Sequence, residues 1–473
     1  MSRHTTFAFT LVPSASQEEG LRKHVGGARF AFNQCLRIVR DALAARKEDD
    51  AARVPWSGFD LINAFNAWKL TAAAGVDETG KPGLAWRAEI CQQVFEEGAV
   101  DLGNALAAFT AGRKKTRRGR PARFPRFKKK ATDRASFRMR NKGVGVRNAI
   151  RVGIGAPRSI RLPKLGELAV RESTRPLRRM LRNGRAKILF ATVSLRSDGR
   201  WRVALNVEAE EFHPARRHAD VEAIPIVGID RGLLTFAVVA DAARTNIEHI
   251  ESPRPLRAAM RALRKKSKAV SRKNGGSRNR QRARIALAKK HARIGSVRRD
   301  FVHRASSQLA KNHGRLVIED LCTMGLMRTK LARSVADSAW SLFATMLAYK
   351  AKWYGAELTL ADRFFPSTRR CSACGEVGPK LELRERRFHC SRCGHEADRD
   401  VNAAANLASY PSVAPTGDWP HVAAKHAETL NACGAGSADA RDRLARETSL
   451  DEAGRAPAQR PRRTVSTNSV NTL

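Results

Sequence analysis

Along this chain the spacing of apolar residues changes several times, and each change marks an element. Thr5 to Val12 alternates in part and predicts a strand that Pro13 ends. Ser16-Gln-Glu-Glu19 then reads as a capping box opening a helix. Leu21, Val25, Ala28, Phe32, Leu36 and Val39 recur at three- and four-residue steps along one face of that helix. A second helical region runs from about Gly58 to Thr110, broken around Lys81-Pro82-Gly83, so that 14–112 forms a helical module. From Ser136 to Glu208 the period shortens to that of strands with Gly turns. Lys187 to Leu195 and Trp201 to Val207 predict a hairpin across Ser197-Asp198-Gly199. Several short strands with basic outward faces suggest a small β-barrel. If the Thr5–Val12 strand joins it, the helices are an insertion within that domain.

The second half reads differently. Ile224 to Asp230 and Leu233 to Ala240 are two apolar strands around a turn, followed by a basic helical stretch from Pro255 to Lys311 interrupted at Gly275-Gly276. Arg315 to Asp320 predicts a buried strand, and Asp337 is placed to cap a helix carrying Trp340, Phe343, Leu347, Lys350 and Trp353 up to Gly355. Glu357 to Leu360 is a further strand. This order fits a mixed sheet with helices packed on it. After Ser409 the composition turns to Ala, Gly, Ser, Pro and charge, and disorder is expected there.

Charge narrows the partner. Among 473 residues, 89 Lys and Arg stand against 45 Asp and Glu, a formal net charge of +44, while a hydrophobic fraction of 42% is ordinary for a folded protein. Such an excess suits a polyanion far better than a small acidic substrate. Two runs concentrate it: Arg113 to Arg120, and Phe124-Pro-Arg-Phe-Lys-Lys-Lys130, where phenylalanines that could stack on bases interleave with the charge. No apolar leader follows Met1 and no apolar run is long enough to cross a bilayer, so a cytoplasmic, membrane-free location is expected.

Four of the 8 cysteines carry chemistry. Cys371-x-x-Cys374 and Cys390-x-x-Cys393 have the spacing of a zinc ribbon, each pair aiming two thiolates at one tetrahedral Zn²⁺. Four thiolates complete that tetrahedron, which leaves His389 and His395 as bystanders. Cys35, Cys91, Cys322 and Cys433 are scattered and read as small buried or incidental residues.

Asp230 ends one apolar strand, Glu319 ends another, and Asp398 and Asp400 begin a helix just past the ribbon. Taken singly these read as a turn residue, a strand-to-loop transition and helix caps. Taken together, three carboxylates converging on one sheet edge make a hard-oxygen site for Mg²⁺ or Mn²⁺. Two such ions would support phosphodiester hydrolysis.

Gly228-Ile-Asp-Arg-Gly232, Val317-Ile-Glu-Asp-Leu321, and Cys371-Ser-Ala-Cys-Gly375 through Cys390-Ser-Arg-Cys-Gly-His-Glu-Ala-Asp-Arg-Asp-Val-Asn-Ala-Ala-Ala-Asn406 resemble the split RuvC domain of the TnpB family. Those proteins are insertion-sequence-encoded RNA-guided nucleases, ancestral to compact type V CRISPR effectors. Phe364-Phe-Pro-Ser-Thr368, Phe124-Pro-Arg-Phe-Lys128 and Leu162-Pro-Lys-Leu-Gly166 agree, and the likeness covers about 5–410. The resemblance implies catalytic and magnesium-binding roles for Asp230, Glu319 and Asp400, with Asp398 the nearest competitor for the third, and structural zinc on Cys371, Cys374, Cys390 and Cys393. It implies an α+β multidomain chain: an RNase H-like (RuvC) nuclease with an inserted zinc ribbon, preceded by a wedge β-barrel with a helical recognition insertion. The expected divisions are 1–13 (first barrel strand), 14–112 (recognition helices), 113–218 (barrel), 219–365 (nuclease, first part), 366–396 (ribbon), 397–410 (nuclease, last part) and 411–473 (tail). The implied partners are a guide RNA and target double-stranded DNA beside a short flanking motif. A transposon end and a CRISPR array both fit as the guide's source. Two alternatives stay open: a guided DNA binder without cleavage, and an RNase H-like transposase.

Overall fold

The computed structural model describes residues 2–413 apart from 52, 77–79, 115–121, 143–148, 211–217, 219–223 and 383–384. The basic run at 115–120, Cys433 and the expected tail from 414 onward therefore lie outside the described residues. The chain is α+β. It divides into two compact units, Met1–Phe212 with Lys265–Ala292, and His213–Arg264 with Arg293–Leu473. No helix among the described residues is long and apolar enough to cross a membrane.

In the first unit, β1 (Ser2–Val12) is central because its length serves two neighbours. Thr10 and the residues before it pair antiparallel with β7 (Trp201–Glu210), and Leu11 and Val12 pair with β5 (Gly166–Val170). With β2 (Ser136–Arg140), β3 (Arg151–Val152), β4 (Ser159–Leu162) and β6 (Ala186–Leu195) they form a sheet of order β2-β6-β7-β1-β5-β4-β3. Trp201, Val203, Leu205, Val207 and Ala209 are buried at alternate positions of β7, the two-residue period of a strand with one face on a core. The expected hairpin is β6–β7, with Leu195 paired to Trp201. No strand pairing joins β2 to β3 among the described residues, so the seven strands form an open sheet here.

The helices α1 (Ala15–Glu48), α2 (Gly58–Trp68) and α3 (Gln92–Arg113) follow β1 and bury Leu21, Phe32, Leu36, Phe65, Phe95 and Leu102 together. The short α4 (Arg175–Arg182) buries Leu177 and Met180. The capping box of α1 lies two residues earlier than the sequence suggests. Ser14 accepts from Gln17 N–H and Gln17 reaches back to Ser14, because the chain turns helical directly after Pro13 and Ser14 is the last residue in extended geometry.

The second unit is built on a mixed sheet of order β10-β9-β8-β11-β12. The strands β8 (Ile226–Asp230), β9 (Thr235–Asp241) and β10 (Ile247–Glu251) run as an antiparallel meander. Both β11 (Arg315–Glu319) and β12 (Glu357–Ala361) are parallel to β8. Two helices, α5 (Pro255–Ser271) and α6 (Arg278–Asn312), lead from β10 to β11, and their distal residues Lys265–Ala292 group with the first unit. Three more, α7 (Thr323–Leu326), α8 (Ala332–Ser338) and α9 (Trp340–Tyr354), lead from β11 to β12. The ribbon hairpin β13 (Arg387–His389) and β14 (Glu396–Asp398) precedes α10 (Arg399–Ala408) and α11 (Tyr410–Val413). One sheet face packs Val227, Ile229, Leu316 and Ile318 against Val302 and Leu309 of α6 and Phe343 and Leu347 of α9. The other packs Val238, Ala240 and Val317 against Val401, Ala404 and Leu407 of α10. Covered on both sides, the central strands read as continuous apolar runs.

Asp337 does not cap the helix that follows it. Its carboxylate accepts from Leu256 N–H at 3.0 Å and Arg257 N–H at 3.1 Å, the open start of α5, and pairs with Arg298 at 3.1 Å. Both partners of that ion pair are buried, so the backbone donors and the guanidinium together supply the solvation a lone carboxylate would lose.

Candidate active site

Parallel pairing of β8 with β11 sets the site. Ile229 lies opposite Ile318, which brings the next residues, Asp230 and Glu319, side by side at the carboxyl ends of two neighbouring strands. Val238 lies opposite Asp230, and Val238 and Val317 face α10, so both carboxylates belong to the α10 face of the sheet. Asp230 is buried, and its carboxyl is raised well above the ordinary range, first by burial and then by the charges of Glu319 and Asp400. Asp230 thus registers the charge of both other acids.

The third acid depends on how α10 docks. A Cβ on Gly228 would overlap the Ala404 carbonyl and sit 2.5 Å from Ala408 N, so only glycine lets the helix lie this close to β8. The alanines at 403–405 keep the facing side of the helix equally thin. Asp398 is the N-cap: its Oδ1 accepts from Asp400 N–H at 2.9 Å and Val401 N–H at 3.1 Å. That commitment leaves Asp400 as the acid free to face the strands, half-buried, with Oδ2 3.9 Å from where a Cβ of Gly232 would stand. Burial and then Asp398 raise the Asp400 carboxyl, while Arg386, Arg399 and His249 oppose the rise.

Four further residues, Ser367, Arg231, Asn402 and Asn406, shape the surroundings of the acids. Ser367 donates its hydroxyl to Glu319 Oε1. Arg231 is buried beside Asp230 and donates to the Glu319 carbonyl; burial pulls its guanidinium down to about 10, so it stays charged at neutral pH and offsets part of the acidic repulsion. Asn402 and Asn406, both buried on one face of α10, donate to the Arg370 carbonyl at 2.8 and 2.6 Å. Asn406 also donates to the Ser367 carbonyl at 2.9 Å, and Asn402 accepts from Ser372 N–H at 2.9 Å. Two amides four residues apart within an alanine run were a legible signal. Arg231 and Ser367 lie inside the Gly228–Gly232 and Phe364–Thr368 motifs, but the motifs do not say which partner either side chain takes.

At the end of that amide network stands the cysteine cluster. Cys371 and Cys393 bring their sulfurs to 3.7 Å, and Cys374 and Cys390 to 3.6 Å. All four ligand atoms lie within 4.8 Å of one another, a closeness no other acid, histidine or cysteine group reaches among the described residues, the three carboxylates included. The two knuckles repeat one turn. Gly375 and Gly394 donate to the carbonyls of Cys371 and Cys390 at 2.9 Å each, at positive φ of 79° and 69° that favour glycine. Four sulfurs so gathered suit a structural zinc ion. His389 stands against Glu396 at 3.3 Å and His395 against Arg244 at 2.9 Å, outside the sulfur cluster.

Comparison with known proteins agrees over most of the chain. Residues 340–407 match the family model "Cas12f1-like, TNB domain", 205–330 the model "Probable transposase", and 1–48 the model "Helix-turn-helix domain". A Mycobacterium tuberculosis protein named "Putative RNA-guided DNA endonuclease" is 34% identical over 421 residues, covering 86% of this chain and 87% of its own. An Escherichia coli protein of the same name, with the suffix InsQ, is 27% identical over 423 residues, covering 86% and 92%. Among solved structures, a Cas12f1–sgRNA–target DNA complex shares the fold over 86% of this chain and 99% of that one, with a TM-score of 0.51 at 12% identity.

Proposed function

The chain belongs to the TnpB family of RNA-guided DNA endonucleases, and from that premise we propose that it binds a guide RNA and hydrolyses target DNA at Asp230, Glu319 and Asp400. The observation that carries this reading is the meeting of two strand-end carboxylates with one from a helix start, close enough to raise Asp230. We read the mixed five-stranded sheet as the RuvC-like nuclease, the seven-stranded sheet as the wedge, α1–α3 as the recognition insertion and 366–396 as the ribbon within the nuclease.

The donor set fits hard divalent cations. Asp230, raised by burial and by the charges of Glu319 and Asp400, lies beside the buried Arg231 guanidinium, an acidic donor set that Mg²⁺ or Mn²⁺ would neutralise. A pair of such ions supplies an activated water and stabilisation of the leaving 3′-oxygen. The chain's own residues hold the geometry. Ser367 fixes one oxygen of Glu319, Asp398 fixes the helix end so that Asp400 stays free, and Arg231 anchors the end of β11 through the Glu319 carbonyl. A net charge of +44 draws both nucleic acids by their phosphates, leaving sequence to base pairing.

The test is guided cleavage of a matched duplex by the wild type, Asp230→Ala and Asp400→Ala. Both variants are expected to bind guide and target as the wild type does, yet to cut at background. Cutting by Asp230→Ala at the wild-type rate would move the chemistry elsewhere. The transposase reading predicts joined products from labelled transposon ends; ours predicts cut ends alone.

A further inference from the structure

Resting on the nuclease reading above, we infer that Phe364 is a substrate-positioning residue, stacking on an unpaired base of the DNA strand being cut, near the scissile phosphate. Phe364 is 86% exposed, the most exposed large hydrophobic residue among the described residues. An isolated exposed ring on a loose loop would carry little meaning. This turn is pinned on every side.

Asp362 Oδ1 accepts from Phe364 N–H at 2.8 Å, and Asp362 N–H donates to the Tyr410 hydroxyl at 3.0 Å. Arg363 pairs with Asp320 at 2.6 Å, directly after Glu319. Phe365 turns inward and packs edge-on against the buried Tyr410, centroids 4.9 Å apart. Ser367, three residues on, gives its hydroxyl to Glu319. Thus two successive phenylalanines are sorted, one anchoring the turn and one presented outward from a turn whose Arg363 and Ser367 contact Asp320 and Glu319.

Three residues of chain reach at most about 10 Å. The Phe364 backbone thus stays within about 10 Å of Ser367, the residue that bonds Glu319, so a base resting on the ring falls within a few nucleotides of the acids. Stacking needs an unpaired base, an open ring face and a rigid mount, and it tolerates any sequence because every base has a π-face. Such a contact would fix the register of the strand over the acids without reading it.

The experiment measures single-turnover cleavage by the full chain with its guide RNA, using wild type, Phe364→Ala, Phe364→Trp and Asp230→Ala. The target strand carries one abasic nucleotide at a time across the cut region. Phe364→Ala is expected to cut roughly ten-fold more slowly, at the lower end of what one base–aromatic stack contributes. Guide and target affinity should stay unchanged, and Phe364→Trp should restore the rate. One abasic position near the cut should slow the wild type by a similar factor and slow Phe364→Ala no further. Wild-type rates from Phe364→Ala, losses that multiply at every abasic position, or weakened guide-RNA binding would each overturn the inference. Should the wild type cut no better than Asp230→Ala, the nuclease reading itself fails, an outcome distinct from a failure of the stack.

Discussion

Asp230 is buried with two other acids facing it, and its carboxyl is raised well above the ordinary range by burial first and by Glu319 and Asp400 next. Folding without divalent ions therefore takes up a proton at intermediate pH, so stability falls as pH rises from the unfolded carboxyl's value through the folded one. Arg231 removes only part of that penalty, being itself pulled down by burial. Replacing Asp230 by Asn keeps the shape and deletes the charge. In chelator at neutral pH, Asp230→Asn should melt higher than the wild type, by about 2–4 °C for each kcal/mol of repulsion relieved in a unit of this size. Adding Mg²⁺ should reverse the order, because binding to the folded wild type adds stability by mass action that the variant forgoes. Calorimetry with and without the ion reads both halves. An identical response of the two proteins to Mg²⁺ would place the ion away from these acids.

Helix α10 is the element on which the site turns, because it carries Asp400 and its seat on β8 is set by one missing side chain. Gly228→Ala would drive a methyl into the Ala404 carbonyl and against Ala408 N, both backbone atoms that cannot rotate aside. The variant should lose about 1–3 kcal/mol, the usual cost of overpacking, and most of its cutting, since the helix must back away with Asp400. Denaturant unfolding and guided cleavage measure the two effects; undiminished cutting would mean that Asp400 need not lie where this docking puts it. The periods of the apolar residues made β8, β9, β11, α9 and the β6–β7 hairpin legible in the sequence, since a core face repeats along a whole element. Single polar contacts were less so. Ser16 and Ser14 offer the same hydroxyl two residues apart, and only backbone geometry selects Ser14. Asp337 precedes one helix and caps another whose start is 81 residues away in sequence, which no local pattern encodes. The four cysteines were legible because their spacing is itself the chemistry. Arg231 was not, because an arginine after a strand is ordinarily solvated and only the packing around it says otherwise.

Across the whole molecule the exchange of Lys265–Ala292 into the first unit was likewise hidden, because a basic amphipathic helix does not announce which surface it packs on. Its charge was plain, and charge is a property of the entire chain. A net charge of +44 in a folded protein makes self-repulsion and polyanion binding two aspects of one field. Each phosphate neutralised releases condensed counterions, so guide-RNA affinity should fall with a steep linear slope of log K against log salt. A footprint of about six to ten phosphates predicts a loss of roughly 10³–10⁵ in affinity between about 50 and 200 mM salt. The Asp230–Glu319–Asp400 site should respond differently over the same range: its charges are partly buried, where screening is weak, so the Mg²⁺-dependent gain in melting temperature should change far less. Filter binding of the guide and melting curves in parallel salt series separate the two. A shallow slope for the guide would mean that shape and base contacts, rather than the distributed positive charge, hold the RNA.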